Sequence, residues 1–301
     1  MNEILKILNA NYTIYFDKIE LLREGASFSY AVWSGDTKYF LRQIRPEILQ
    51  TAREAIDVHI YLQQSGFAVP PIIHSKDGYC FYGTIADKQN LYILYEFIEA
   101  SEPENVDAQR VGELVAKMHN VMDSYPKPLV KRGKEWFVQK YLGFLSCRNH
   151  PMLAEYTCLG DALWDKVKLL PRSYCHGDLY KGNVMKSNGG ELYVVDFDTS
   201  CEAFSIYDAV LYCHRIDYFE YSDAGWENSQ AQLAAFVEGY SKHRAITQAE
   251  LDACNIFAAI YHYQVQAAVV EIHGLECNDA YFEPQQMEWM SKWLAKSGVN
   301  I

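Results

Sequence analysis

The sequence has no long hydrophobic run, no paired-cysteine spacing, no P-loop signature and no excess of basic residues. Each absence removes a class of protein. Without a window of about 18 uncharged apolar residues, no membrane span is expected. The opening MNEILKILNANYTIYF lacks a basic start, a central apolar stretch and a small-residue cleavage site, so a cytoplasmic location is expected. The eight cysteines are Cys80, Cys147, Cys158, Cys175, Cys201, Cys213, Cys254 and Cys277, and no two stand at CxxC spacing. That argues against a zinc site and for reduced, mostly buried thiols. The absence of GxxxxGK[ST] excludes a P-loop fold. A net charge of −12 removes the basic face that nucleic-acid binding needs. The same acidity tolerates a cationic ligand without requiring one.

What remains is an ordered globular chain of 301 residues, half of them apolar and 14% aromatic, with no repeat, low-complexity tract or long linker. Its character changes near residue 100. Before that point, IELLRE (19–24), FSYAVW (28–33), KYFLRQI (38–44), PPIIHSKDGYCFYGTIA and LYILYEFI (91–98) carry strand signals. The turn at 34–36 predicts a hairpin, and Lys76-Asp77-Gly78 separates two further strands. Between them, Pro46 opens a helix with Leu49, Ala52, Ile56 and Ile60 at helical spacing and Gly66 at its end. Residues 1–98 therefore read as a small antiparallel sheet with one packed helix. Residues 99–301 read as mainly helical, over 104–122, 152–169, from Glu202 through Arg215, 231–240, 250–274 and 284–298. Trp289, Met290, Trp293 and Leu294 form a core-facing stripe on the last helix. The fold class is α+β.

The exception in the second part is SYCHGDLYKGNVMKSNGGELYVVDFDTS (173–200). NVMKSNGGELYVVDF reads as a hairpin. With Gly189-Gly190 as its loop, Asn183 faces Asp196; with Asn188-Gly189, Asn183 faces Val194 and Asp196 faces Lys181. In either register an amide and a carboxylate reach the open end, and Asp178 enters from the preceding loop. An amide oxygen beside a carboxylate suits Mg2+, which takes few protein ligands and fills its shell with water and phosphate oxygens. Asp178, five residues before the amide, can orient a hydroxyl and accept its proton without binding the metal. Phosphoryl transfer needs such positioning and charge neutralisation.

HGDLYKGNVM followed by VVDFD resembles the catalytic and metal-binding loops of the aminoglycoside phosphotransferase and choline kinase group. These are small-molecule kinases with a protein-kinase-like, two-lobed fold. The resemblance implies a nucleotide-binding N-lobe at 1–98 and a C-lobe at 99–301 with the catalytic loop and acceptor-binding helices. It implies Asp178 as catalytic base and Asn183 and Asp196 as magnesium ligands. Arg42 would be the cation on the α- and β-phosphates, in place of the lysine of protein kinases, with Glu54 pairing to it. Backbone groups at Glu96, Phe97 and Ile98 would take the base of ATP or GTP. Gly25, Ser27 and Ser29 could cover the phosphates, although EGASFSYAVW is poorer in glycine than GxGxxG. His176 and His119 read as structural, Asp198 as metal support or a turn cap, and Asp208 as a brace of the catalytic loop or a helix-start residue.

The expected activity is phosphate transfer to a hydroxyl of a small molecule. A protein kinase on the same fold, a catalytically silent relative and a two-carboxylate glycosidase are the alternatives. No DFG and no clear APE-type segment supports the first, the intact Asp178, Asn183 and Asp196 count against the second, and the third leaves Asn183, Arg42 and Glu54 unexplained. From residue 201 onward, 14 acidic residues stand against five basic ones. Asp217, Glu220, Asp223 and Glu227 interleave with Tyr218, Phe219, Tyr221 and Trp226, a composition that can hold an amine or simply face solvent. No oligomeric state is implied.

Overall fold

Strand β6 (Lys88–Glu96) is buried continuously from Asn90 to Tyr95, without the alternation of a strand that has one face in water. The reason is that apolar layers cover both faces of its sheet. Tyr92 and Leu94 point into a cluster with Ile4, Leu8 and Tyr12, supplied by α1 (Asn2–Asn11) and the residue after it. Leu91, Ile93 and Tyr95 point into a second cluster with Ala52 and Ile56 of α2 (Leu49–Gln64). Helical spacing in the sequence predicts α2, and α1 is additional to the elements it predicts.

The computed structural model describes residues 2–25, 27–214, 216–275 and 284–299. The chain divides into two units, 1–102 with 182–199, and 103–181 with 200–301.

In the first unit, β1 (Lys18–Glu24), β2 (Ser27–Ser34), β3 (Thr37–Ile44), β6 and β4 (Ile72–Ile73) lie in that order, all antiparallel. The β2–β3 hairpin closes over Gly35-Asp36, with Gly35 at φ +58. A 3-10 turn at Pro46–Ile48 leads into α2, and Gly66 follows it at φ +74. The strands expected around Lys76-Asp77-Gly78 do not pair with each other. A local Ser75–Gly78 bridge closes that turn, and β4 and β5 (Phe81–Ile85) both pair with β6. A short strand β7 (Ala100–Ser101) pairs with β9 (Val184–Ser187), which pairs in turn with β10 (Leu192–Val194).

The second unit contains α3 (Ala108–Met122), α4 (Lys140–Cys147), α5 (Leu153–Val167), β8 (Arg172–Cys175), β11 (Cys201–Phe204), α6 (Tyr207–Cys213), α7 (Asp223–Tyr240), α8 (Gln248–His273) and α9 (Pro284–Lys296). Residues 202–204 were expected to be helical. They instead pair as strand with β8, placing Cys201 opposite Cys175. Thr247 caps α8 in a capping box with Glu250, so the chain turns into this helix with its first N–H groups satisfied. Helix α8 packs against α4, α5, α6 and α9, and Trp289, Met290, Trp293 and Leu294 are buried as expected. Cys175, Cys201, Cys213 and Cys254 are buried free thiols, Cys147 and Cys158 are exposed, and Cys277 lies outside the described residues. No helix among the described residues is long and apolar enough to cross a membrane.

Candidate active site

The β9–β10 hairpin takes a register between the two that its turn sequence allows. Lys186 faces Leu192 and Val184 faces Val194. Extending the ladder, the N–H of Val195 donates to the carbonyl of Asn183 at 3.0 Å. The connection is a three-residue loop, Asn188-Gly189-Gly190, with the third residue left-handed at φ +87, a geometry glycine adopts freely. Asn183 therefore faces Val195, not Asp196 or Val194. Asp196 follows immediately, at φ +64. A non-glycine residue there costs roughly 1–3 kcal/mol, a strain kept where geometry is functional.

Arg42 stands on β3 in the same unit. Its Nε donates to Ser27 Oγ at 3.1 Å, and its Nη1 and Nη2 donate to the two carboxylate oxygens of Asp198, the first at 3.1 Å. Nη1 also lies 3.8 Å from Asp196 Oδ1. Burial works to lower the pKa of Arg42, but the Asp198 hydrogen bonds and charge raise it above the ordinary guanidinium value, so the group is always charged. The expected pairing of Arg42 with Glu54 is not found. Glu54 is exposed on α2 and accepts from Gln50 one turn earlier. Glu54 lies between two buried positions of that helix, Ala52 and Ala55, but on the outer side. The α2 residue that reaches the site is His59, whose Nε2–H donates to the carbonyl of Pro70 at 2.8 Å and whose ring meets Tyr95 and Phe197. Burial lowers its pKa to about 4, so it is neutral.

These groups share one cavity of about 570 Å³ within the first unit, the size of a cofactor site. Gly25, Ser27, Ser29, Arg42, Glu96, Phe97 and Ile98 line it, as do Asn183, Asp196 and Asp198; Glu54 does not. One part of the wall is apolar, with Phe40, Tyr95, Met185 and Val195. Periodicity could not single these out, because they also obey the strand pattern of core residues.

The donor set suits a hard cation. Asn183 is buried and oriented by the ladder, while the Asp196 side chain is half exposed, at 51%. One amide and one carboxylate beside an open cavity leave room for water and phosphate oxygens, as Mg2+ requires. No group of three or more His, Cys, Asp or Glu side chains that could hold a metal occurs among the described residues.

In the second unit, Asp178 is half-buried in the loop after β8. Its N–H approaches His176 Nδ1 at 3.4 Å, and its carbonyl accepts from Tyr180 N–H. The backbone N–H groups of His176 and Gly177 donate to the two oxygens of Asp208, at 2.7 and 3.0 Å. Asp208 is fully buried, and His119 Nε2 sits 3.0 Å from it while His119 Nδ1 meets the hydroxyl of Tyr240 at 2.9 Å. Tyr261 of α8 was not anticipated. It packs edge-on against Tyr207 and Tyr218. Burial, and then the Asp178 charge, raise its pKa, so its hydroxyl keeps its proton.

The acidic and aromatic stretch has partners of its own. Asp217 Oδ1 accepts the N–H groups of Phe219 and Glu220, a local turn. Asp223 accepts from Tyr221 and pairs with Lys296 at 3.1 Å. Lys292 and Lys296 lie over the rings of Tyr221 and Trp226. Tyr218 turns inward onto Trp289 and His262. Glu220 is exposed. The chain's own lysines thus occupy the positions expected for a ligand amine.

The family described as "Phosphotransferase enzyme family" (APH) matches residues 18–254. A homoserine kinase of Methylobacillus flagellatus is 23% identical over 264 residues, 86% of this chain and 78% of that protein. Among solved structures, amicoumacin kinase hAmiN in complex with AMP-PNP, Ca2+ and Ami superimposes with a TM-score of 0.72 at 17% identity, covering 98% of this chain and 92% of that one. The microcompartment-associated aminopropanol kinase gives 0.68 at 16% identity, covering 100% and 99%. The fold is thus protein-kinase-like, α+β.

Proposed function

The chain belongs to the APH phosphotransferase enzyme family, and from that premise we propose that it transfers the terminal phosphoryl group of ATP, with Mg2+, to a hydroxyl of a small molecule that also carries an amine. The observation that carries the reading is the grouping of Arg42, Asn183 and Asp196 with apolar walls in one cavity of about 570 Å³. A nucleotide needs both kinds of surface, apolar for the base and cationic for the phosphates.

In this reading the walls formed by Phe40, Tyr95 and Val195 take the base, with backbone groups of Glu96 to Ile98 beside it. Arg42 binds phosphate oxygens through the guanidinium hydrogens that Asp198 and Ser27 do not use. Asn183 and Asp196 would hold Mg2+, which when bound neutralises the phosphate charge. Asp178 orients the acceptor hydroxyl and takes its proton, and Asp208 keeps the loop that carries Asp178 in place. The names of the relatives agree with the acceptor class, since homoserine and aminopropanol each combine an amine with a hydroxyl.

The test is a transfer assay with ATP or GTP and Mg2+ across homoserine, aminopropanol, an aminoglycoside, a neutral sugar and a generic protein substrate, with products identified by mass spectrometry. Phosphorylated amino alcohols, formed with ATP and lost on chelation of Mg2+, are expected. Turnover of the neutral sugar without turnover of any amine would overturn the acceptor class.

A further inference from the structure

Arg42 lies between two carboxylates that have different work to do. It is bidentate on Asp198 and 3.8 Å from Asp196. Its Nε is tied to Ser27 at 3.1 Å, so the guanidinium is held along a second edge. Helix α2 contributes nothing to this arrangement through Glu54, which is exposed and bonded to Gln50. Among the described residues Asp196 has no comparable restraint on its side chain, which is 51% exposed against 29% for Asp198. A guanidinium released from Asp198 would find Asp196 as its nearest carboxylate. A fork-shaped cation then closes onto a carboxylate in bidentate geometry. That contact would occupy the oxygens a hard cation needs.

We propose that Asp198 is a positioning residue that anchors Arg42 and thereby keeps it from capping Asp196, leaving the Asp196 carboxylate open to the cation. The inference rests on the nucleotide and magnesium reading of this cavity. It also assigns to the segment after the β9–β10 hairpin the anchoring task that the family resemblance gives to a helix glutamate. The position of Arg42 then does not depend on Glu54.

The experiment measures AMP-PNP binding by calorimetry in Mg2+ and in EDTA and takes the ratio of the two dissociation constants. In the parent protein Mg2+ tightens binding. In Asp198→Ala that tightening falls by about tenfold, equivalent to about 1.4 kcal/mol, because Arg42 moves onto Asp196. In Arg42→Met/Asp198→Ala the tightening returns to that of Arg42→Met alone, because the competing cation is gone. Glu54→Gln keeps the parent ratio. If the double variant stays as insensitive to Mg2+ as Asp198→Ala, Asp198 is itself a metal ligand and the proposal is overturned. An unchanged ratio in Asp198→Ala overturns it too. Should Asp198→Ala fail to fold by circular dichroism, Asp198→Asn, which keeps the shape and removes the charge, takes its place with the same order of effects. A parent protein that binds AMP-PNP no tighter in Mg2+ would remove the underlying reading, and this inference with it.

Discussion

Asp208 Oδ2 and His119 Nε2 meet at 3.0 Å with neither side chain open to solvent. The same carboxylate takes the N–H groups of His176 and Gly177, so one buried charge fixes the loop that leads into Asp178. Such a group is strongly structural, because removing one partner leaves the others buried and unsatisfied.

Asp208→Asn should lower stability by about 3 kcal/mol or more, read from urea unfolding at pH 7. Burial works to raise the pKa of Asp208, but the His119 hydrogen bond, the neighbouring histidines and the Gly177 N–H together hold it below the ordinary value. A depressed folded pKa means its contribution is complete above the unfolded value of about 3.9 and is lost as pH falls through the folded value. The loss of stability below that pH should be shallower in Asp208→Asn than in the parent.

Three buried histidines predict acid lability in a higher window. Burial lowers His59 and His262 to about 4 and His214 to about 3. Neither ring nitrogen of His214 has a hydrogen-bond partner among the described residues. With folded values below the unfolded value, the unfolded chain binds protons first, so stability falls as pH drops below about 6.5. Each histidine should remove about 2 kcal/mol between pH 6.5 and pH 5. Urea midpoints at pH 7 and pH 5 test this. His214→Leu should stay near the parent at pH 7 and lose about a third of the acid slope.

Asp178→Asn should lower kcat by about 10²- to 10⁴-fold, the usual contribution of a general base. AMP-PNP affinity should not change, since Arg42, Asn183 and Asp196 line the nucleotide cavity and Asp178 is not among its lining residues. Initial rates and calorimetry on the same preparation check both halves. Parent-like turnover would remove Asp178 from its role.

Helices α3 and α7 touch backbone to backbone. A Cβ on Gly239 would stand 1.8 Å from the carbonyl oxygen of Gln109, and one on Gly112 would stand 2.0 Å from that of Phe236. Gly239→Ala must push the helices apart and should lower stability by about 3 kcal/mol, measured by urea unfolding. The next residue, Tyr240, holds His119, so phosphate transfer should fall as well.

Local chemistry was legible in the chain itself. HGDLYKGNVM and VVDFD gather acids and an amide within a short stretch, and a hairpin turn forces that proximity whatever the rest of the chain does. The β2–β3 hairpin, α2 and the buried stripe of α9 were readable for the same reason, because periodicity and turn residues act over a few positions. Helix α1 is not legible in the sequence, because its ten residues are too few for helical periodicity to decide. The strand at 201–204 was masked by helical residues on its far side, and only pairing with β8 makes it a strand.

What tertiary structure decided was partnership. The family resemblance implied Glu54 for Arg42, and the fold turned Glu54 to solvent and brought Asp198, 156 positions away, to the guanidinium. It also set the hairpin register through a three-residue loop and turned Tyr218 inward. It supplied lysines from α9 to the acids and rings of the 217–227 stretch. Long-range contacts between charged groups depend on which helix face is buried and where strands cross. No local pattern encodes either, so the chain determined which chemical groups are present and packing determined which of them meet.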